Sequence, residues 1–280
     1  MINRRSFVSA CAASSIAVAC TSTMRPSHSS AQTPGPIEPA VDFAPTLFEL
    51  RQYTLEPGER DRFLAIFEAS LLDAYQRNGT RVLGSFRHRD DPNRWVWFRT
   101  FPDAASRGPA VGRFYQSDEW KQHATAINSR IAGIEPAMLL TWASAPQALP
   151  QAPVTGQVEP PPLTAIYEIT VYPLRATSEA TFHDEFNRVA LPVLAEAGMT
   201  PMIQFISDHR ENSFPKQPVR ATSVYVTLTR FASTAQLHAS QQALAAHPRE
   251  RTGIAVLLAQ HLTGAPEVIR LTPTTRSAMR

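Results

Sequence analysis

The chain has 280 residues, a formal net charge of +3 and two cysteines, Cys11 and Cys20. Because both cysteines lie near the N-terminus, disulfides, thiol nucleophiles and cysteine-ligated metals are excluded from the rest of the fold. Residues 1–31 contain three arginines and no acidic residue, so their removal would lower the net charge to zero. This charge balance argues against a nucleic-acid partner.

Residues 1–31 predict an export signal, because a positive N-terminal region precedes a short apolar stretch that ends in small residues. The motif RRSF at 4–7 fits the twin-arginine pattern, and an ordinary secretory signal with two arginines is the alternative. Cleavage after Ala31 would release a soluble periplasmic protein, whereas cleavage before Cys20 would give a lipoprotein acylated on that cysteine. We expect contact with a membrane only through the signal or the lipid anchor.

Composition then divides the exported part of the chain. Residues 32–45 have the Pro-rich, polar composition of a disordered tether. Two repeats are predicted at 46–147 and 164–273, separated by a Pro-rich linker at 148–163, and residues 274–280 form a tail.

The two repeats are recognised by aligning the chain with itself. An offset of 119 positions brings eight identical residues into register between 48–86 and 167–205. The pairs are Glu49/Glu168, Tyr53/Tyr172, Leu55/Leu174, Phe63/Phe182, Phe67/Phe186, Leu72/Leu191, Gly79/Gly198 and Phe86/Phe205. An insertion at about 211–220 then changes the offset to 130. We interpret the pattern as an internal duplication.

Local periodicity predicts the same elements in each copy. A first strand is followed by an amphipathic helix that ends at a glycine, Gly79 or Gly198. The predicted order is strand 47–55, helix 59–78, strands 81–88 and 94–101, helical residues at about 104–133 and strand 138–143. In the second copy it is strand 166–174, helix 179–197, strands 200–207 and 224–231, helical residues 233–261 and strand 267–272.

This order predicts an α+β fold with two ferredoxin-like βαββαβ repeats. Each repeat has a sheet with helices on one face only, so the other face needs cover. We therefore expect the two repeats to pack as an intramolecular dimeric α/β barrel. Such a protein would be a monomer or a homodimer.

The segments FELRQYTLEPGERDRFLAIF, LGSFR and NRWVWFRTF resemble the NIPSNAP family of the dimeric α/β-barrel superfamily. The matching residues are Phe48, Glu49, Leu50, Arg51, Tyr53, Pro57, Gly58 and Asn93. The second copy departs from the pattern, since Thr170 replaces the arginine and Ala176-Thr177 replace the Pro-Gly. The superfamily includes cofactor-independent oxygenases, haem-degrading enzymes and isomerases, and NIPSNAP proteins have no agreed chemistry.

Strand alternation sorts the side chains into two faces. We predict that an apolar set, which includes Phe48, Leu50 and Ile169, faces the helices. The opposite face would then form the inside of the barrel and bind a small, partly apolar ligand. The predicted ligand-binding residues are Glu49, Arg51, Tyr53, Trp95, Trp97, Arg99, Glu168, Tyr172 and Tyr225. The alternative is that Glu49 pairs with Arg51 or Arg99 and that the tryptophans only fill space.

Two other functions stay open. A cofactor-independent oxygenase or isomerase would use Glu49 or His88 as its base and Arg51 to stabilise an anion. A protein-protein scaffold would instead have a filled barrel interior. The histidines show no metal-ligand spacing, so we expect neither a metal nor a cofactor; His88 could be an axial haem ligand, but no motif supports haem.

Overall fold

The computed structural model describes residues 43–144, 149, 164–248 and 250–279. The predicted export signal, Cys20, most of the tether and most of the Pro-rich linker lie outside these residues. The strands are β1 Leu47–Leu55, β2 Arg81–His88, β3 Arg94–Phe101, β4 Ile131–Ile134, β5 Met138–Trp142, β6 Ile166–Pro173, β7 Ile203–Ser207, β8 Val224–Phe231 and β9 Glu267–Pro273.

Six helices accompany the strands in the described residues. Helix α1 consists of Arg60–Ile66 and Leu72–Arg77, joined by a π-helical turn at Phe67–Leu71. Helix α4 repeats this arrangement with Glu179–Glu185, a π-helical turn at Phe186–Ala190 and Leu191–Glu196. The others are α2 Ala104–Gln116, α3 Asp118–Asn128, α5 Thr234–Ala246, and α6, a π-helical turn Glu250–Ile254 that continues as Ala255–His261.

Most predicted elements agree with this structure, with one clear difference. The helical region expected at about 104–133 is two helices and the short strand β4. The break comes at Ser117, whose backbone is extended and whose hydroxyl accepts a hydrogen bond from the Trp120 amide as the N-cap of α3. The two predicted stops, Gly79 and Gly198, have φ values of +88° and +72°, which glycine adopts at little cost.

The strands close into an eight-stranded antiparallel barrel in the order β3-β2-β9-β6-β8-β7-β5-β1, and β1 pairs again with β3. Each half contributes four strands. The halves join where β2 pairs with β9 and where β5 pairs with β7. Strand β4 adds to the end of β1, outside the barrel. The α+β fold class with an intramolecular barrel is confirmed.

The barrel interior is filled with apolar side chains from all eight strands. Phe48, Leu50 and Ile169, which the alternation assigned to the helix side, lie in this interior. The sorting of the side chains into two sets was correct, but the assignment of the two faces was wrong. The apolar set is the one buried between the two halves, because each half must cover the open face of the other.

The helices pack on the outside of the barrel, over the face that carries the predicted site residues. In the first half, Phe63 and Phe67 of α1 pack on Tyr53, Trp95 and the neighbouring strand residues. In the second half, Phe182 and Phe186 of α4 pack on Tyr172 and Tyr225 in the same way. Within the described part of the chain, no helix has both the length and the apolar character needed to cross a membrane.

Candidate functional site

A cavity of about 640 Å³ lies between the outer face of the first-half sheet and the helices that cover it. Its walls come from β1, β3, α1, α3, β4 and the residues around them. The lining includes exposed Thr125, Ser129 and Ala132 as well as buried Arg51 and Trp97. This volume is in the range of small-molecule sites. The predicted interior site therefore has its counterpart outside the barrel.

Aromatic side chains form most of the wall. Trp95 and Trp97 stack on β3 with their ring centroids 5.0 Å apart. Phe67 approaches both tryptophans from α1, at 4.6 Å and 5.5 Å. Tyr115 and Trp120 meet edge to face at 4.9 Å where α2 gives way to α3. A wall of flat rings suits a ligand that itself contains a ring.

The cavity wall adjoins a buried cluster of one carboxylate and three guanidinium groups. Glu49 is fully buried and pairs with Arg99, its direct cross-strand partner on β3. Arg107 of α2 donates to Glu49 from Nε at 2.9 Å and from Nη2 at 2.6 Å. Arg51 Nη1 lies 3.7 Å from Glu49 Oε1. The pairing of Glu49 with Arg51 or Arg99, which was the alternative to a ligand site, is present, with Arg107 as an additional partner.

This arrangement keeps Glu49 ionised. Burial alone would raise the pKa of Glu49, but the positive charges of Arg99, Arg107 and Arg51 together outweigh burial and lower the pKa to about 2. A carboxylate that weakly basic, with its oxygens taken up by arginines, is a poor general base. The structure therefore gives no support to Glu49 as the base of an oxygenase or isomerase.

The segment between β7 and β8, residues 208–223, reaches from the second half onto this cluster. Gln217 is 1% exposed, and its Oε1 accepts from Arg51 Nη1 at 3.3 Å and from Arg99 Nη2 at 2.5 Å. Gln217 Nε2 donates to the Tyr115 hydroxyl at 2.8 Å. Asn212 Oδ1 accepts from Arg107 Nη1 at 2.6 Å. Residues far apart in the sequence thus complete one polar site.

Two buried donors near the cavity lack an acceptor among the described residues. They are the indole Nε1 of Trp97 and Nη1 of Arg99. Trp97 lines the cavity, and the Arg99 guanidinium lies over the Trp97 ring at 5.3 Å. Buried polar atoms are normally hydrogen-bonded, so unsatisfied donors at a cavity indicate a missing acceptor.

The second-half residues of the predicted site do not line this cavity. Glu168 accepts from Arg270 Nε at 3.0 Å, which is a partner from β9 rather than from the strand equivalent to β3. Burial raises the pKa of Tyr172 to about 12. Tyr225 is fully buried, and its hydroxyl lies 3.0 Å from His183 Nδ1. In this half, Thr170, Thr227 and Thr229 stand where the first half has Arg51, Trp97 and Arg99.

His88 lies apart from the cavity, at the end of β2. Its Nδ1 accepts from the backbone amides of Asp90 and Asp91, both at 3.1 Å, which ties the ring to the turn that follows. Burial first, and Arg94 second, lower the pKa of His88. This geometry does not place His88 as a base for a ligand in the cavity.

Sequence reasoning missed several residues of the site. Tyr75, Tyr115 and Trp120 line the cavity, and Gln217 binds both Arg51 of the cavity wall and the neighbouring Arg99. The insertion at 211–220 was the one available signal for Gln217, because extra residues in a single copy indicate a feature that the other copy lacks.

The fold and this site define a class: an α+β protein whose two halves form a dimeric α/β barrel within one chain, with a cavity under the helices of the first half. The NIPSNAP family model matches residues 48–146, which form that half. The chain is thus similar to NIPSNAP proteins in the half that contains the cavity. Among curated proteins, none matches the sequence.

Solved structures support the fold. A crystal structure of an anthrone oxidase-like protein is 15% identical and covers 85% of this chain and 95% of its own, with a TM-score of 0.52. A proposed monooxygenase from Fusobacterium nucleatum is 9% identical over 83% of this chain and 94% of its own, with a TM-score of 0.52. Another proposed monooxygenase, from Lactobacillus acidophilus, is 11% identical over 82% of this chain and 94% of its own, with a TM-score of 0.50. At these identities the likeness concerns the fold alone.

Proposed function

We propose that the protein binds a small, ring-containing molecule in the cavity between the first-half sheet and helices α1 and α3. The observation that carries the proposal is the aromatic cavity of about 640 Å³ with Arg51 at its buried wall. A concave, mostly aromatic pocket of this size with a charged group in its wall is typical of small-molecule sites. The filled barrel interior fits a scaffold, but a scaffold has no need for this cavity.

Binding is favoured over turnover because neither of the proposed bases can act on a ligand in this cavity. Glu49 is paired with arginines, and His88 lies outside the cavity at the end of β2, where its ring binds the following turn. The solved structures with a similar fold include one named as a monooxygenase and one named as anthrone oxidase-like. Proteins with those names act on small molecules, which fits a small-molecule site in this fold. Catalysis in this cavity would need an acid or base other than Glu49 and His88.

The test narrows the cavity without removing its polar groups. Ala124 of α3 lines the cavity, and Gln122, on the same helix, is exposed and does not. We expect Ala124→Phe to abolish ligand binding and Gln122→Phe to retain it, with both variants folded. Three of the four tryptophans, Trp95, Trp97 and Trp120, line the cavity, so intrinsic fluorescence reports on ligand entry.

The ligand itself is sought by native mass spectrometry of protein purified from its natural host. A mass excess in the wild-type protein and in Gln122→Phe, but not in Ala124→Phe, supports the site. Equal ligand mass in all three proteins would place the ligand elsewhere and contradict the proposal.

The proposed location is the periplasm, after removal of the N-terminal signal. The arginine pair and the short apolar stretch of residues 1–31 support export. The denatured mass of the same preparation distinguishes the two cleavage sites: a chain that begins after Ala31, or one that begins at an acylated Cys20. A chain that retains residues 1–31 would contradict export.

A further inference from the structure

The β7–β8 segment is seated on the first half by backbone and side-chain contacts. The Ala137 amide donates to the Pro218 carbonyl at 2.9 Å, and the Arg220 amide donates to the Ala137 carbonyl at 2.8 Å. Phe214 stacks on Tyr115, with ring centroids 6.0 Å apart. Pro218 itself lines the cavity. The second half therefore supplies part of the first-half site.

Gln217 is the residue that this segment presents to the buried arginines. Its single side-chain oxygen is shared between Arg51 and Arg99, and its amide nitrogen is used by Tyr115. A glutamate of nearly the same shape would make the same contacts to the arginines and would neutralise one positive charge. The amide makes the hydrogen bonds and leaves the charge uncompensated.

The charge balance of the cluster is positive. Among the described residues, Glu49 is the only carboxylate in ion-pair contact with Arg51, Arg99 or Arg107. Three guanidinium groups face one carboxylate, and all four residues are 2% exposed or less. Buried charge is costly unless it is paired, so an anion bound beside Arg51 would be stabilised by the excess.

The unsatisfied indole Nε1 of Trp97 points to the same ligand chemistry independently. It is a donor, it is 1% exposed, and its side chain lines the cavity wall together with Arg51. An oxyanion accepts hydrogen bonds from guanidinium and indole N–H groups alike. A neutral apolar ligand would leave the Trp97 indole N–H without an acceptor and the excess positive charge beside Arg51 uncompensated.

We infer that the cavity selects a ring-containing oxyanion, its charged oxygens toward Arg51 and Trp97, and that Gln217 of the second half sets this preference by leaving the arginine charge unneutralised. The inference rests on the proposed function, since it names the class of ligand that the same cavity takes. It also gives the insertion in the second copy a role in the site of the first.

The experiment compares 2-naphthoate with its neutral analogue 2-naphthamide by equilibrium dialysis at pH 7.5. We expect the wild-type protein to bind the anion more tightly than the amide. Gln217→Glu should weaken binding of the anion by about tenfold or more, because it adds a negative charge beside the arginines, and should leave binding of the amide within about twofold. Gln217→Ala removes the hydrogen bonds but not the charge excess, so the preference for the anion should persist.

Gln242→Glu on α5 is the matched control, since it makes the same charge change at an exposed position of the second half. It should behave as wild type. Equal binding of the two probes to the wild-type protein, or an unchanged preference in Gln217→Glu, would overturn the inference while leaving the cavity as a binding site. If neither probe binds the wild type and Ala124→Phe changes no ligand response, the proposed function itself fails.

Discussion

Arg107 Nη2 lies 2.6 Å from Glu49 Oε1, and the two side chains are 1% and 0% exposed. This contact ties α2 to the middle of β1, beneath the helices of the first half. Because both groups are out of water, they depend on protein partners for their hydrogen bonds, and Arg99 and Asn212 supply the others. The pair joins the candidate site to the stability of the fold.

Loss of the carboxylate should therefore be costly. We expect Glu49→Gln to lower the free energy of unfolding by about 3–5 kcal/mol, because it leaves three buried guanidinium groups without a counter-charge. The measurement is urea denaturation at pH 7. Glu168→Gln is the matched variant in the second half, where Arg270 is 36% exposed, and it should lose only about 1–2 kcal/mol. Equal losses in the two variants would contradict the special role of the cluster.

The same carboxylate predicts an acid dependence of stability. The pKa of Glu49 falls from its ordinary value of 4.5 to about 2 in the folded protein. A lowered pKa stabilises the fold above the unfolded value, and that stabilisation is lost as the pH drops from about 4.5 toward about 2. The contribution is about 3 kcal/mol.

Unfolding free energies of the wild type and Glu49→Gln, measured at pH 7, 4.5 and 3, check this dependence. The gap between the two proteins should shrink as the pH falls, because Glu49 takes up a proton in the unfolded wild-type protein below about pH 4.5, whereas the folded protein keeps it ionised down to about pH 2. A gap that stays constant down to pH 3 would show that folding does not lower the pKa of Glu49.

Two glycines of α2 provide a test of the β7–β8 segment. A Cβ atom on Gly108 would lie 2.4 Å from the Ser213 carbonyl oxygen, whereas one on Gly112 would meet nothing within 4 Å. We expect Gly108→Ala to displace the segment, lower stability by about 1–3 kcal/mol and weaken ligand binding. Gly112→Ala should be neutral or stabilising by up to about 1 kcal/mol.

Thermal unfolding and binding of 2-naphthoate, measured on both alanine variants, distinguish an effect of the segment from a general effect on α2. If Gly108→Ala binds the probes as well as Gly112→Ala does, the position of the segment has no influence on the site. A shared loss in both variants would instead indicate a general weakening of α2.

The barrel interior predicts that the two halves unfold together. Phe205 of β7 contacts Phe48 at 4.6 Å and Trp142 at 5.4 Å, both from the first half. Phe205→Ala should cost about 3–5 kcal/mol and destabilise both halves, because they share one core. Hydrogen exchange followed by mass spectrometry reads each half separately.

Val256→Ala, at a side chain that is 50% exposed, is the control and should change little. Faster exchange in the second half alone after Phe205→Ala would mean that the halves are stable independently. That result would contradict a single cooperative core.

Sequence determined much of this protein directly. The period-two alternation of β1, β3, β6 and β8 grouped Glu49, Arg51 and Trp97 together and kept them apart from Phe48 and Leu50, and the structure retains that grouping. Alternation is a local property of an extended backbone, so it can be read without knowledge of the fold. The glycine stops at Gly79 and Gly198 were predictable for the same reason.

Only the tertiary structure decided which group faces the barrel interior. A period of two separates the faces of a strand but does not say which face meets the helices, and polar residues were wrongly assigned to the interior. Which face lies inside depends on how the two four-stranded sheets close into the barrel. Closure buries the apolar set between the two halves, where each half covers the other. The contact of Gln217 with Arg51, 166 residues away, likewise exists only because β7 and β8 return beside the first half.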